Sequence, residues 1–184
     1  MKRIFIVAVA VSSLFSINAR AVDFFVMPEL GYGHISFNEG YTLEDFDDSS
    51  NFNEIKCVLG MSFESNIVVG GGVSSAGNFQ FYGANDHYSV FQYMGLLGYS
   101  FDLAPKLKIM PMIGVSSWRL TLEEGAFLNP GPEETLEKDG ADYFGRINFE
   151  VPMTDLFQLN FSYHAGAYDF GDLHSFSVGG KFTF

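Results

Sequence analysis

The final thirteen residues, Asp172 to Phe184 (DLHSFSVGGKFTF), constrain the fold more than any other stretch of the chain. Counted back from the end, every second residue is apolar or bare: Phe184, Phe182, Gly180, Val178, Phe176. The other parity reads Thr183, Lys181, Gly179, Ser177, Ser175, which is small or polar. Successive side chains of a strand point to opposite faces, so this period of two predicts a β-strand whose faces meet different surroundings. The pattern continues to a terminal aromatic. A chain end frays unless neighbours tie it down, and a closed barrel provides a neighbour on each side.

The same alternation recurs upstream. Strands are expected over about Asp23–Phe37, Phe52–Glu64, Ile67–Ser75, His87–Phe101, Lys106–Leu122, Ala141–Val151 and Leu156–Ala167, with Asp172–Phe184 as the eighth. Three connections are long and rich in turn formers: Asn38–Asn51, Ala76–Asp86 and Glu123–Gly140. Ser65-Asn66, Asp102–Pro105, Pro152–Asp155 and Tyr168–Gly171 are short. Long and short connections alternate for most of the chain, as in an all-β, eight-stranded antiparallel up-and-down transmembrane β-barrel with short periplasmic turns and longer outer loops. Both termini then lie on the periplasmic side. Two irregularities are expected. Pro28 lacks the N–H that a ladder uses. Trp118, Leu120 and Leu122 put apolar residues on the polar parity, which a bulge near Ser116-Ser117 would explain.

Parity alone does not say which face is outside, and a soluble lipocalin-like carrier with an apolar cavity is the alternative. The basic residues favour the membrane. Lys56, Lys108, Arg146 and Lys181 share the polar parity with Glu29, Glu54, Glu64 and Glu150, and charges inside a narrow barrel can pair across it. Of these, Glu29, Lys56, Lys108, Arg146, Glu150 and Lys181 are the expected lumen network, a structural device that plugs the bore. Eight strands leave room only for side chains, and the 21 Phe and 9 Tyr would overfill it. Girdles at the two rims account for them better: Phe24, Phe63, Tyr99, Phe101, Phe157 and Phe184 at one, Tyr32, Trp118 and Tyr143 toward the other.

The N-terminus reads as a signal peptide over residues 1–21, leaving 22–184 as the barrel. Lys2 and Arg3 precede the apolar run Ile4–Phe15, and Ala19-Arg20-Ala21 supplies an A-x-A cleavage site. Losing Lys2, Arg3 and Arg20 takes the net charge from −12 to −15. So acidic a chain, without a basic stripe, is not a nucleic-acid binder. The single cysteine, Cys57, has no internal disulfide partner.

With Ala19-Arg20-Ala21, the YDFG segment at Tyr168 to Gly171 and the terminal SVGGKFTF, the chain resembles the small outer-membrane β-barrels of Gram-negative bacteria, those like the OmpA membrane domain and the OmpX/Ail group. The resemblance implies that Phe176, Val178, Phe182 and Phe184 form the assembly signal read by the barrel-assembly machinery. It also implies outer-membrane lipid and lipopolysaccharide as surroundings. The barrel pattern occupies the chain to its end, so the cell-wall anchoring of full-length OmpA is not implied.

Catalysis has little support in the sequence. Some barrels of this size modify lipid A, which needs a histidine and a nucleophile or acid near the rim. His174 and Ser175 are neighbours in a strand and face opposite ways. His164, in YHAG, is the best placed of the four histidines but lacks the H-x-S-N form of the lipid A deacylases. No catalytic, cofactor or metal residues are expected: no His pair has ligand spacing, and Glu44, Asp45, Asp47 and Asp48 miss the calcium-loop pattern. The function expected is structural, adhesive or envelope-interacting, through outer loops that could meet a host or envelope protein. A narrow channel or a lipid-A-modifying enzyme is the alternative.

Overall fold

A computed structural model describes residues 22–41, 49–78, 86–124 and 135–184. The expected signal segment 1–21 lies outside the described residues. Among the described residues nine strand segments form one sheet: β1 (Val22–Phe37), β2 (Ser49–Phe63), β3 (Ile67–Gly77), β4 (Asp86–Tyr99), β5 (Phe101–Ala104), β6 (Leu107–Glu124), β7 (Thr135–Pro152), β8 (Phe157–Tyr168) and β9 (Gly171–Thr183). β4 and β5 are two lengths of one crossing, parted at Ser100 and both paired with β6. The wall therefore has eight crossings, each antiparallel to the next, and β1 pairs with β9 to close it.

The registers fix the tilt. Stepping from partner to partner, Phe24 leads through Met61, Val69, Leu97, Ile113, Gly145, Ala165 and His174 back to β1 at His34, ten residues further along. A stagger of that size in an eight-stranded barrel inclines the strands by roughly 35–45° and leaves a bore that side chains fill.

Local chemistry sets the ends. Asn66 takes φ 64° in the β2–β3 turn, a conformation asparagine tolerates better than most residues. Thr154 Oγ1 accepts from the Phe157 amide (3.0 Å) in the β7–β8 turn. Gly171 opens β9 at φ 148°, and a Cβ there would lie 2.0 Å from the Ser36 carbonyl oxygen, so only glycine fits. The terminal Phe184 donates its amide to Phe24 O (2.8 Å), so the last residue is held against β1.

Two expectations are corrected, and the irregularity expected at Pro28 is located. There is no bulge at Ser116-Ser117: the β4–β6 and β6–β7 registers run through it unshifted. Trp118, Leu120 and Leu122 stay on the inward parity of Met110, Met112 and Ser116, because the lumen itself turns apolar toward the loops. Pro28 keeps its register with Cys57, and the irregularity there is confined to a lapse in the β1–β9 ladder between Val26 and Glu29. Finally, β7 begins at Thr135 rather than Ala141. Most of residues 135–139 are exposed whichever way they point, and where both faces meet water no apolar alternation marks a strand.

The wall separates two environments. Leu30, Tyr32, Ile113, Tyr143 and Phe176 face outward with more than half their surface exposed, Tyr143 at 80%. Their chain neighbours face in and are buried or half-buried. A soluble exterior rarely carries a contiguous apolar surface of this extent, which marks a wall made for apolar contact.

Candidate functional site

The inward residues form layers along the bore. Nearest the short turns, Lys181 Nζ donates to both oxygens of Glu150, each at 3.0 Å, and lies 4.7 Å from the centre of the Phe25 ring. In the middle, Arg146 on β7 reaches Glu29 on β1 at 2.6 Å. These strands are separated by β8 and β9, so the pair crosses the lumen. The same Glu29 oxygen accepts from Asn160 and from Ser162 (3.1 Å), and Arg146 Nε donates to Asn148 Oδ1 at 2.6 Å. Beside this group, Lys56 pairs with Glu54 at 2.9 Å and donates to Ser175 at 3.2 Å, while Ser74 donates to Glu54 at 2.6 Å. The three anions and three cations balance, and all six are buried. Charges removed from water survive only when paired and hydrogen-bonded in this way.

Toward the loops the filling changes to rings. Phe144 stacks on His164 (4.5 Å), whose Nε2 lies 2.8 Å from Tyr168 Oη. Tyr168 stacks on Phe170 (4.9 Å), and Phe170 meets Trp118 edge-on (4.7 Å). Phe37 and Tyr88 add a second edge contact at 5.5 Å. Glycines on adjoining strands make room. A Cβ on Gly33 would lie 2.3 Å from the Phe52 ring, on Gly114 2.4 Å from Phe144, and on Gly140 2.4 Å from Trp118. Asp142 ties the cap down, accepting from Trp118 Nε1 (2.8 Å) and from the Asp169 amide (3.0 Å). The tight β8–β9 turn thus folds Phe170 inward as a stopper.

No protein-family model matches the chain, and no curated protein matches it. Solved structures do. Neisserial surface protein A superposes with a TM-score of 0.71 at 11% identity, over 90% of this chain and 100% of that one. Ail, the attachment invasion locus protein of Yersinia pestis, gives 0.63 at 11% identity, again over 90% and 100%. The outer membrane protein OprG from Pseudomonas aeruginosa gives 0.58 at 12%, over 90% and 97%. The fold is that of the small outer-membrane β-barrels.

In this outer-membrane barrel fold, five of the six residues expected in the lumen lie there: Glu29, Lys56, Arg146, Glu150 and Lys181. Lys108 does not. It stands at the short-turn rim, its side chain 39% exposed, 3.8 Å from Asp102. Its parity is inward, but it stands in the first residues of β6 at the open end of the bore, where water solvates an ammonium better than a buried partner could. Glu54 takes a place beside Lys56 instead, and its signal in the sequence was the i, i+2 spacing that puts both on one face of β2. Trp118 belongs to the cap and not to a girdle. The exposed rim aromatics include Phe24, Phe101 and Phe184 at one end and Tyr32 and Tyr143 nearer the other.

His164 is buried in the lumen. His174 faces outward, 2.8 Å from Tyr163 Oη, while its neighbour Ser175 faces inward to Lys56. The aromatic and apolar residues of the expected assembly signal, Phe176, Val178, Phe182 and Phe184, all line the outer wall, at 40–77% exposure.

Proposed function

We propose that this protein is an outer-membrane barrel with a sealed lumen that acts through its outer loops, in a structural, adhesive or envelope-interacting role. The observation that carries the reading is the filled bore. Three buried ion pairs lie beneath a cap of interlocked rings, and a barrel of eight strands has no further room for a path. In this reading residues 1–21 direct export and are removed. The β2–β3, β5–β6 and β7–β8 turns and both termini face the periplasm, and the assembly machinery reads Phe176, Val178, Phe182 and Phe184. Acyl chains and lipopolysaccharide surround the apolar wall.

The loops suggest the kind of partner. Residues 38–51 hold Glu39, Glu44, Asp45, Asp47 and Asp48 without a lysine or arginine, and residues 123–140 hold Glu123, Glu124, Glu133, Glu134, Glu137 and Asp139 against Lys138 alone. Ail has a structure in complex with the heparin analogue sucrose octasulfate. Loops as acidic as these would repel such a polyanion, and the partner that complements them is a basic surface on a host or envelope protein. The lipid-modifying alternative is disfavoured by His164, which is walled in by Phe144 and Tyr168 away from any bilayer lipid.

Planar-bilayer recording of the refolded protein tests the sealed lumen. Membranes that contain the barrel, verified by its shift in gel migration on boiling, are expected to show no steady conductance. A stable ohmic channel from the same preparation would overturn the reading.

A further inference from the structure

The first and last strands of the barrel meet along a seam, and two histidines stand side by side on its outer face. His34 of β1 and His174 of β9 are register partners, both exposed. Directly opposed Cβ atoms of an antiparallel pair lie about 4.5–5.5 Å apart. Two imidazoles rooted that close can share an ion bound at about 2.0–2.1 Å from each nitrogen.

The hydrogen bonds prepare the rings for this. His34 Nδ1 lies 3.2 Å from Oδ1 of Asn51 on β2. An amide oxygen only accepts, so Nδ1 carries the proton and Nε2 keeps its lone pair. His174 Nδ1 lies 2.8 Å from Oη of Tyr163 on β8, with the two rings stacked at 15°. With that phenol oxygen accepting, Nε2 of His174 is also left with a lone pair. Nδ1 and Nε2 sit on opposite edges of the ring. A His34 that turns Nδ1 to β2 and a His174 that turns Nδ1 to β8 therefore each keep Nε2 on the side of the shared seam. Histidines that ligate metals hold their other nitrogen on an oxygen in this manner. Ser36 Oγ, 3.4 Å from His34 Nε2, is a weak partner that an ion can replace. The next pair along the seam is Ser36 and Asp172, which adds a negative charge; the pair below is Tyr32 and Phe176, the top of the apolar wall.

We propose that His34 and His174 form a two-histidine site for a borderline divalent transition ion such as Zn2+, Ni2+ or Cu2+, clasping the barrel where its first and last strands join. Among the described residues no group of three His, Cys, Asp or Glu side chains is assembled for a metal, so water completes the coordination and the ion exchanges freely. The site does not depend on how the loops are read.

The test is calorimetric titration of the full-length protein, folded in detergent micelles, with Zn2+ and Ni2+. Wild type should take up one ion per barrel with excess Mg2+ present, since Mg2+ favours oxygen ligands over imidazole. His34→Ala and His174→Ala should each abolish saturable binding, and Tyr163→Phe should weaken it by about ten- to a hundredfold. Zn2+ should raise the urea midpoint of wild type and leave that of the two alanine variants unmoved. Electron paramagnetic resonance of Cu2+ on wild type, which needs no variant to fold, should show coupling to two nitrogens. Undiminished Zn2+ binding in a folded double variant, loss of binding in Mg2+, or an all-oxygen Cu2+ spectrum would overturn the proposal.

Discussion

Toward the short turns the bore of this barrel is filled by six charged side chains and the amides and hydroxyls that serve them; toward the loops the same bore is filled by rings seated on glycines. The polar layer is held by directional bonds: Glu29 alone accepts from Arg146, Asn160 and Ser162. The ring layer is held by shape, with Phe52, Phe144, Trp118 and Tyr168 entering space that inward glycines leave open. The first should fail when one partner of a pair is removed. The second should fail when volume is added where a glycine stands.

Arg146→Ala is expected to have the largest effect. It strands the Glu29 carboxylate in the lumen, and loss of one member of a buried pair costs about 3–5 kcal/mol, read as a fall in the urea midpoint in lipid vesicles. Replacing both members, Glu29→Gln with Arg146→Met, should recover most of that loss. If the double variant is as unstable as the single one, the polar layer is not organised by charge pairing. Gly114→Ala probes the other layer. Its methyl would meet the Phe144 ring at 2.4 Å and the Gly95 carbonyl oxygen at 2.7 Å, so overpacking should cost about 1–3 kcal/mol in the same assay. An unchanged midpoint would mean that the rings are loosely seated. The smallest effect belongs to Lys108→Ala, which removes a rim pair 3.8 Å long and open to water; less than about 0.5 kcal/mol is expected. A loss comparable to that of Arg146→Ala would return Lys108 to the lumen network.

Much of this architecture was legible in the sequence because a period of two is a direct print of the strand. The alternation placed all eight crossings, and it put Glu29, Lys56, Arg146, Glu150 and Lys181 on the lumen parity. What it could not show was a change of chemistry within one face. Trp118, Leu120 and Leu122 read as a parity slip because a lumen was assumed to be polar throughout, whereas the cap end is apolar. Lys108 was misplaced for a related reason: parity gives direction but not depth, and an inward residue at a rim is still wet. Inward glycines are sockets for Phe52, Phe144 and Trp118, a role that composition does not show. The His34–His174 pair was invisible to any search of sequence spacing, since only closure of β1 on β9 brings the two together. The role of the YDFG segment as a stopper, with Tyr168 and Phe170 turned inward, likewise follows from the tight β8–β9 turn and not from its composition.

The claim on which the rest depends is that the apolar parity faces acyl chains, and the native sequence already carries its probe. Cys57, the single cysteine, lies on β2 in line with the outward Ile55 and Leu59 and opposite Pro28 and Val73. A nitroxide attached there in lipid vesicles should collide more often with dissolved oxygen, which concentrates among acyl chains, than with a water-soluble nickel chelate. More frequent collisions with the nickel chelate than with oxygen would place this face in water and contradict the account.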